Sequence, residues 1–457
     1  MRYLPKSDAE RRQMLAVCGL DSLEQLYAHL PEETKLKRDL VLPGGKSEYE
    51  IYDYFKARAA ENADGYASFL GAGVYAHYRP VLCDVIASRG EFLTSYTPYQ
   101  AEMAQGTLTS IFEFQTMICQ LTGMEVANAS MYDGSTSVPE AAMMAMRITG
   151  REHVVIARSV HPEYRQVLDT YARNGRWDVD TFGYDAASGR MNIAELESKI
   201  GNKTACVIVQ SPNFFGVVEQ IPEAAALAHK HGALLIVVFT EAVSLALLEP
   251  PREADIVAGE LQSFAMSPSY GGPYAGIIAT KDKFIRQIPG RLVGLTRDLD
   301  GKRAFVMTMR AREQDIRREK AASNICTNQA LLALAAAIYI AAIGPHGLRD
   351  VAALGAARAS ELEAALAAAG APRLHAGPYL NEFAVRVPDA RGVHARLLDR
   401  GILAGIPLAV LLPDEPALAD GLLVCATEVT THEDVSRFAA ALAAELGAVA
   451  GRPGGVA

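Results

Sequence analysis

Residues 232–280 read GALLIVVFTEAVSLALLEPPREADIVAGELQSFAMSPSYGGPYAGIIAT, and the fold is decided there. Three short runs, residues 234–239, 255–257 and 276–279, are almost continuously apolar and rich in Ile, Val and Leu. A strand with one wet face alternates apolar and polar residues, whereas a strand covered on both faces does not. Each run therefore predicts a buried strand. Residues 154–157 and 205–209 upstream read the same way, and helical patterns such as residues 221–229 lie between some of them. Strands alternating with helices predict an α/β domain with a mostly parallel sheet.

The same stretch bears on chemistry. A carboxylate closes the first run, in Val237-Val238-Phe239-Thr240-Glu241. In an α/β enzyme using pyridoxal phosphate, a carboxylate near a strand end pairs with the pyridine nitrogen, and a lysine some tens of residues later forms the imine. No lysine occurs between Gly232 and Thr280. Lys281 and Lys283 come next, beyond the last strand, where exposed side chains are expected. A chain of this fold would lack the amine that tethers the cofactor.

Upstream, residues 63–150 are helix-rich. Residues 109–121 are apolar at helical spacing and stop at Gly123, which suits the left-handed position after a helix. A short strand at residues 126–131 leads to Asp133-Gly134-Ser135-Thr136 at a helix start. Backbone N–H groups and hydroxyls there can hold a phosphate. The bland alternative is an N-cap made by Asp133, and the Asp133 carboxylate argues against a bound anion. Ser95-Tyr96-Thr97-Pro98-Tyr99-Gln100 brackets a proline with two phenols, which suits either a surface turn or a loop that builds a site or an interface.

Downstream, residues 309–320 (MRAREQDIRREK) carry charge on several faces. Glu313 and Arg317 at i, i+4 predict a salt-bridged helix, with a carboxylate-binding arginine cluster as the alternative. Residues 330–343 form an apolar helix of fourteen, closed by Gly344-Pro345 and short of the roughly 18 residues a membrane span needs. An Ala-rich helix (351–369), strands at 383–387 and 422–426, and helices from Val393 and Thr431 predict a smaller α+β unit. The first sixty residues read as a short helical arm, with capping boxes at residues 7–10 and 21–24. The expected organisation is an arm (1–62), a large domain (63–344), a small domain (345–448) and a flexible tail (449–457).

Composition narrows the partners. Among 457 residues the formal net charge is −9 and no long basic run occurs, which speaks against nucleic acid and anionic membranes. The six cysteines (Cys18, Cys83, Cys119, Cys206, Cys326, Cys425) stand singly, the histidines have no ligand spacing, and no metal site is expected. MRYLPKSDAERRQML has no apolar core of a signal peptide, so a cytoplasmic location is expected.

Four long stretches carry a resemblance. They are residues 69–108 (FLGAGVYAHYRPVLCDVIASRGEFLTSYTPYQAEMAQGTL), 112–136 (FEFQTMICQLTGMEVANASMYDGST), 269–276 (SYGGPYAG) and 312–339 (REQDIRREKAASNICTNQALLALAAAIY). With these the chain resembles the N-terminal (alpha) subunits of the glycine cleavage system P-protein family, glycine dehydrogenase (decarboxylating). The resemblance implies the pyridoxal phosphate transferase fold of type I, with a seven-stranded, mostly parallel sheet in the large domain. It implies a heterotetramer with a beta subunit that carries the Schiff-base lysine and holds pyridoxal phosphate covalently. The complex would decarboxylate glycine, release CO2 and pass the aminomethyl group to the lipoyl arm of the H-protein. No catalytic residue is then expected on this chain alone. Tyr96, Thr97, Tyr99 and Gln100 would reach into the shared site, and Asp133, Gly134, Ser135 and Thr136 would be a vestigial phosphate loop. Ala101 and Asp315 depart from the family pattern, which favours proline and histidine there. Two other readings stay open: a stand-alone enzyme using Lys281 or Lys320, and a structural scaffold.

Overall fold

The computed structural model describes residues 6–62, 64–325 and 328–450. They fall into two compact units that divide after Asp64. The tail expected at residues 449–457 begins inside the last helix (His432–Ala450), and residues 451–457 and Cys326 lie outside the described residues.

The first unit holds helices α1 (Asp8–Val17) and α2 (Glu48–Ala59). Ser7 starts α1 with the expected capping box, its hydroxyl accepting from the Glu10 N–H while Glu10 accepts from the Ser7 N–H. Ser47 and Glu50 repeat the box at α2. The box expected at residues 21–24 does not form. The turn Leu23–Tyr27 is a 3-10 helix that begins one residue later, at Ser22, and Gln25 rather than Glu24 accepts from the Asp21 N–H, at 2.8 Å. Neither helix buries a residue.

The second unit is built on a seven-stranded sheet. Its strands are β1 (Val126–Ala127), β2 (His153–Ala157), β3 (Asp178–Phe182), β4 (Thr204–Gln210), β5 (Leu234–Phe239), β6 (Ile256–Glu260) and β7 (Gly276–Thr280), in the order β1-β7-β6-β5-β4-β2-β3. The pairs β2–β3, β2–β4, β4–β5 and β5–β6 are parallel, and only β7 runs against its neighbours. All seven residues of β4 are buried, as its unbroken apolar run requires. Edge strand β3 (DVDTF) alternates exposed and half-buried residues, which is why its polar pattern did not read as a strand. The chain moves outward from β2 to β3, then returns to the other side of β2 at β4, so strand order reverses there. In open α/β sheets ligands bind beyond the carboxyl ends of the strands, at such a reversal.

Helix α3 (Gln105–Thr122) ends on Gly123, whose φ of 70° is the left-handed conformation a side chain resists. Helix α4 (Gly134–Thr149) follows Asp133, and helix α5 (Ile221–Lys230) covers the sheet. The apolar helix stops at Gly344-Pro345 as expected, for Gly344 has non-helical backbone angles (φ 64° and ψ −178°); a second helix follows at once, and the two together are labelled α6 (Ala330–Ala368). By length and apolarity alone it could cross a membrane. Ala333, Ala336 and Tyr339 nevertheless sit in the core of the large sheet. The second half of α6 packs Leu362 and Leu366 into a separate core with Phe383, Val385, Val424 and Phe438. That core backs a three-stranded antiparallel sheet of Glu382–Arg386, Gly421–Cys425 and Ile406–Pro407.

The segment at residues 309–320 is not one helix. A 3-10 turn (Arg310–Arg312), a single helical turn (Gln314–Arg317) and another 3-10 turn (Arg318–Lys320) replace it. Arg318 breaks it with a φ of 54°. Among the described residues Glu313 and Arg317 form no ion pair, and Asp315 pairs with Arg310 at 2.7 Å instead of its neighbours Arg317 and Arg318.

Candidate functional site

The carboxyl ends of β4, β5 and β6 converge on a group of buried polar side chains. At the end of β6, Glu260 is 2 % exposed. Its Oε2 accepts from the Gly134 N–H at 2.9 Å, and its Oε1 from the N–H groups of Leu261 (2.8 Å), Gln262 (3.0 Å) and Ala275 (3.2 Å). Burial pushes its pKa up to about 8, and the nearby Asp133 adds to the rise. Asp133 Oδ1 accepts from the Thr136 N–H and the Ser135 hydroxyl, both at 2.7 Å, and the Thr136 hydroxyl accepts from the Asp133 N–H. The start of α4 is therefore occupied twice, by its own N-cap and by the Glu260 carboxyl. The N-cap alternative for Asp133 is what the structure contains.

Glu241, one step past β5, is equally enclosed. It lies 3.0 Å from His77 Nε2, accepts from Asn381 Nδ2 (3.0 Å), the Ser263 hydroxyl (2.6 Å) and the Val243 N–H (3.0 Å), and is 2 % exposed. His77 donates from its other nitrogen to Glu428 at 2.7 Å. Burial disfavours the His77 charge, but the two carboxylates outweigh it and raise the pKa to about 10. Burial likewise works against Glu241, yet the His77 charge and its hydrogen bonds hold the carboxyl below its ordinary value. Beside them Tyr75 donates to Glu382 at 3.0 Å, and burial lifts Glu382 to about 8.

These residues do not fit a covalently tethered pyridoxal phosphate. The carboxylate that would face a pyridine nitrogen is paired with His77, the N–H that would meet a phosphate is given to Glu260, and no amine stands between them. Lys281 follows β7, which runs against β6: Thr280 pairs with Ile256, the first residue of β6. Lys281 thus lies at the opposite edge of the sheet, donating to the Arg252 carbonyl at 2.7 Å.

The second predicted group lies elsewhere. Tyr96 and Tyr99 are 72 % and 49 % exposed. Tyr96, Thr97 and Pro98 roof a cavity of about 220 Å³ floored by Phe114, Arg291 and Leu334, whose lining includes none of residues 133–136. The Arg310 guanidinium stacks 5.0 Å from the centre of the Tyr99 ring. Ala101 packs in a small cluster with Leu108, Val293 and Phe305.

The fold is that of type I pyridoxal phosphate enzymes. The apo cysteine desulfurase of Thermococcus onnurineus NA1 matches with a TM-score of 0.59 over 89 % of this chain and 100 % of its own, at 16 % identity, a likeness of fold alone. A family model, the glycine cleavage system P-protein, matches residues 1–442, and the chain belongs to that family. The probable glycine dehydrogenase (decarboxylating) subunit 1 of Solibacter usitatus (strain Ellin6076) is 61 % identical over 447 residues, covering 97 % of this chain and 98 % of that one. A crystal structure of glycine decarboxylase (P-protein) of the glycine cleavage system, in inhibitor-bound form, is 41 % identical with a TM-score of 0.89, covering 98 % of this chain and 100 % of that one.

Sequence reasoning singled out Glu241 and the 96–100 loop and passed over Glu260, His77, Glu382 and Arg291. Glu260 was visible as a charged residue closing a buried strand. His77 and Glu382 lie 164 and 141 positions from Glu241 in a chain that only folding brings together, and no spacing marks them.

Proposed function

We propose that this chain is the non-Schiff-base subunit of glycine dehydrogenase (decarboxylating) in the glycine cleavage system. The carrying observation is the filled site: Glu260 caps α4 and His77 neutralises Glu241 where a cofactor would need both groups free. An imine requires a primary amine within reach. A lysine-bearing beta subunit supplies it and holds the pyridoxal phosphate, the two chains forming a heterotetramer. The complex decarboxylates glycine, releases CO2, and transfers the aminomethyl group to the lipoyl arm of the H-protein. This chain contributes the Tyr96-Thr97-Pro98-Tyr99-Gln100 loop, whose exposed phenols close the partner's pocket and exclude water. Asp133 to Thr136 are the remnant of a phosphate loop. The location is the cytoplasm, in keeping with free thiols at Cys18, Cys83, Cys119, Cys206 and Cys425.

The test is expression with and without the lysine-bearing subunit. The isolated chain should show no borohydride-trappable colour with pyridoxal phosphate. The reconstituted complex should show it, with the label on the partner, and should catalyse glycine–bicarbonate exchange. Label on Lys281 or Lys320 of this chain would overturn the reading. Exchange by the partner alone at the full rate would leave this chain a scaffold.

A further inference from the structure

The cavity beneath Tyr96, Thr97 and Pro98 contains a buried cation that forms no ion pair among the described residues. Arg291 is 7 % exposed. It lines the cavity together with Ser95, Thr107, Ser110 and Asn328, all of them able to hydrogen-bond. Its Nε has no hydrogen-bond partner, and among the described residues it forms no ion pair within 4.0 Å. Among the described residues its one side-chain hydrogen bond is a long one, 3.5 Å to the Tyr99 hydroxyl. A guanidinium this deeply buried with no anion beside it is expensive, and proteins keep such groups only where something pairs with them.

The surroundings hold the cation in place without neutralising it. Arg291 lies 5.8 Å from the centre of the Tyr99 ring, and Arg310 lies 5.0 Å from the same ring. The Arg310 charge is met by Asp315 at 2.7 Å. Arg312 is spent on the Ile288 and Gly290 carbonyls. The Arg291 charge acts to lower the Glu313 pKa, but burial, the larger cause, raises it, and the Glu313 Oε1 makes no hydrogen bond. Of the three arginines around this loop, Arg291 alone faces the cavity with donors to spare.

We propose that Arg291 is the anion receptor of this cavity, and that it takes a planar or tetrahedral oxyanion (a carboxylate or a phosphate) through a charge-assisted hydrogen bond. The proposal rests on the reading that the loop closes over the partner's catalytic site. That site offers two oxyanions, the carboxylate of the amino-acid substrate and the phosphate of the cofactor. A third occupant, an acidic side chain of the partner, would make Arg291 a docking residue instead.

The experiment compares R291M and R291K in the reconstituted complex. Three quantities are read: KM and kcat for glycine in bicarbonate exchange, the dissociation constant of pyridoxal phosphate from spectral titration, and the assembly constant of the two subunits. A carboxylate ligand predicts a KM for glycine raised at least tenfold by R291M, partly restored by R291K, with cofactor affinity unchanged. A phosphate ligand predicts a cofactor dissociation constant raised at least tenfold with the glycine KM unchanged at saturating cofactor. Either result supports the proposal, and the two tell the sources apart. Weakened assembly with both ligand constants unaltered, or no change in any of the three, overturns it. Tyr96→Ala in parallel keeps the two readings separate. If Tyr96→Ala lowers turnover while R291M does nothing, the shared loop stands and the anion receptor falls. If neither has an effect, the shared loop itself is wrong.

Discussion

Glu260 occupies the start of α4 as a bound anion would, and the consequences are local and measurable. A Cβ built on Gly134 would stand 2.4 Å from the Tyr164 hydroxyl and 2.8 Å from the Glu260 Cβ. Gly134→Ala should therefore push the carboxyl off the helix and destabilise the fold by about 1–3 kcal/mol, read from urea unfolding. Glu382 gives a pH signature. Its folded pKa of about 8 lies above the ordinary value of 4.5, so the folded chain binds this proton more tightly than the unfolded one. Its contribution favours folding at low pH and is lost as pH rises from about 4.5 through 8. Glu382→Gln copies the protonated acid and keeps partners for Ala72 N–H and Tyr75. It should be near neutral at pH 5 and more stable than the wild type at pH 8.5 by roughly 2–4 kcal/mol. Equal stability of the two at both pH values would remove the burial argument. At the shared loop, Tyr96→Ala and Tyr99→Ala should leave assembly intact and lower exchange turnover several-fold. Unchanged turnover would mean that the exposed phenols do not meet substrate.

The elements show where sequence reading works and where it stops. Strands β2 and β4 to β7 announced themselves because both faces are covered and their central positions are apolar. β3 did not, since an edge strand of the DVDTF kind spends alternate residues on water. The segment 309–320 misled for a related reason. Its i, i+4 charges fit a helix, yet Arg312 turns inward to the Ile288 and Gly290 carbonyls and Asp315 pairs with Arg310, so tertiary contacts override the local pattern. The absence of a lysine was legible from one dimension alone; what fills its place was not, because His77, Glu241, Glu428 and Glu382 come from distant loops and strand ends. That group also binds elements together, for His77 joins the end of β5 to the turn after Gly421–Cys425. Its pKa of about 10 lies above the ordinary 6.5, so the stability it adds is complete below pH 6.5 and is lost as pH rises through 10. His77→Gln leaves two buried carboxylates without a cation. It should cost about 3–5 kcal/mol at pH 7 in thermal unfolding, with a smaller penalty at pH 10.

At the scale of the whole molecule the chain leaves too much apolar surface in water to be complete by itself. In the first unit neither α1 nor α2 buries a residue, while Val17, Val41 and Leu42 are 89 %, 90 % and 73 % exposed and Tyr49 and Phe55 are 74 % and 64 % exposed. A stretch of about sixty residues with no core of its own gains little from folding alone, since ordering each residue costs roughly 1–2 kcal/mol of backbone entropy. The second unit adds Val81, Val85, Leu93, Tyr96 and Met103 to the exposed set, close in sequence to the loop assigned to the shared site. Monomers seldom leave so many large apolar side chains in water, and obligate subunits bury them against their partners. Hydrogen exchange followed by mass spectrometry tests this directly. In the isolated chain the amides of residues 6–62 should exchange within seconds, whereas those of β4 and β5 are protected. Adding the lysine-bearing subunit should slow residues 6–62 and 81–103 together by at least a hundredfold and leave β4 and β5 unchanged. Protection of the arm without the partner would show that these apolar side chains have another home, and the incompleteness inferred from their exposure would be wrong.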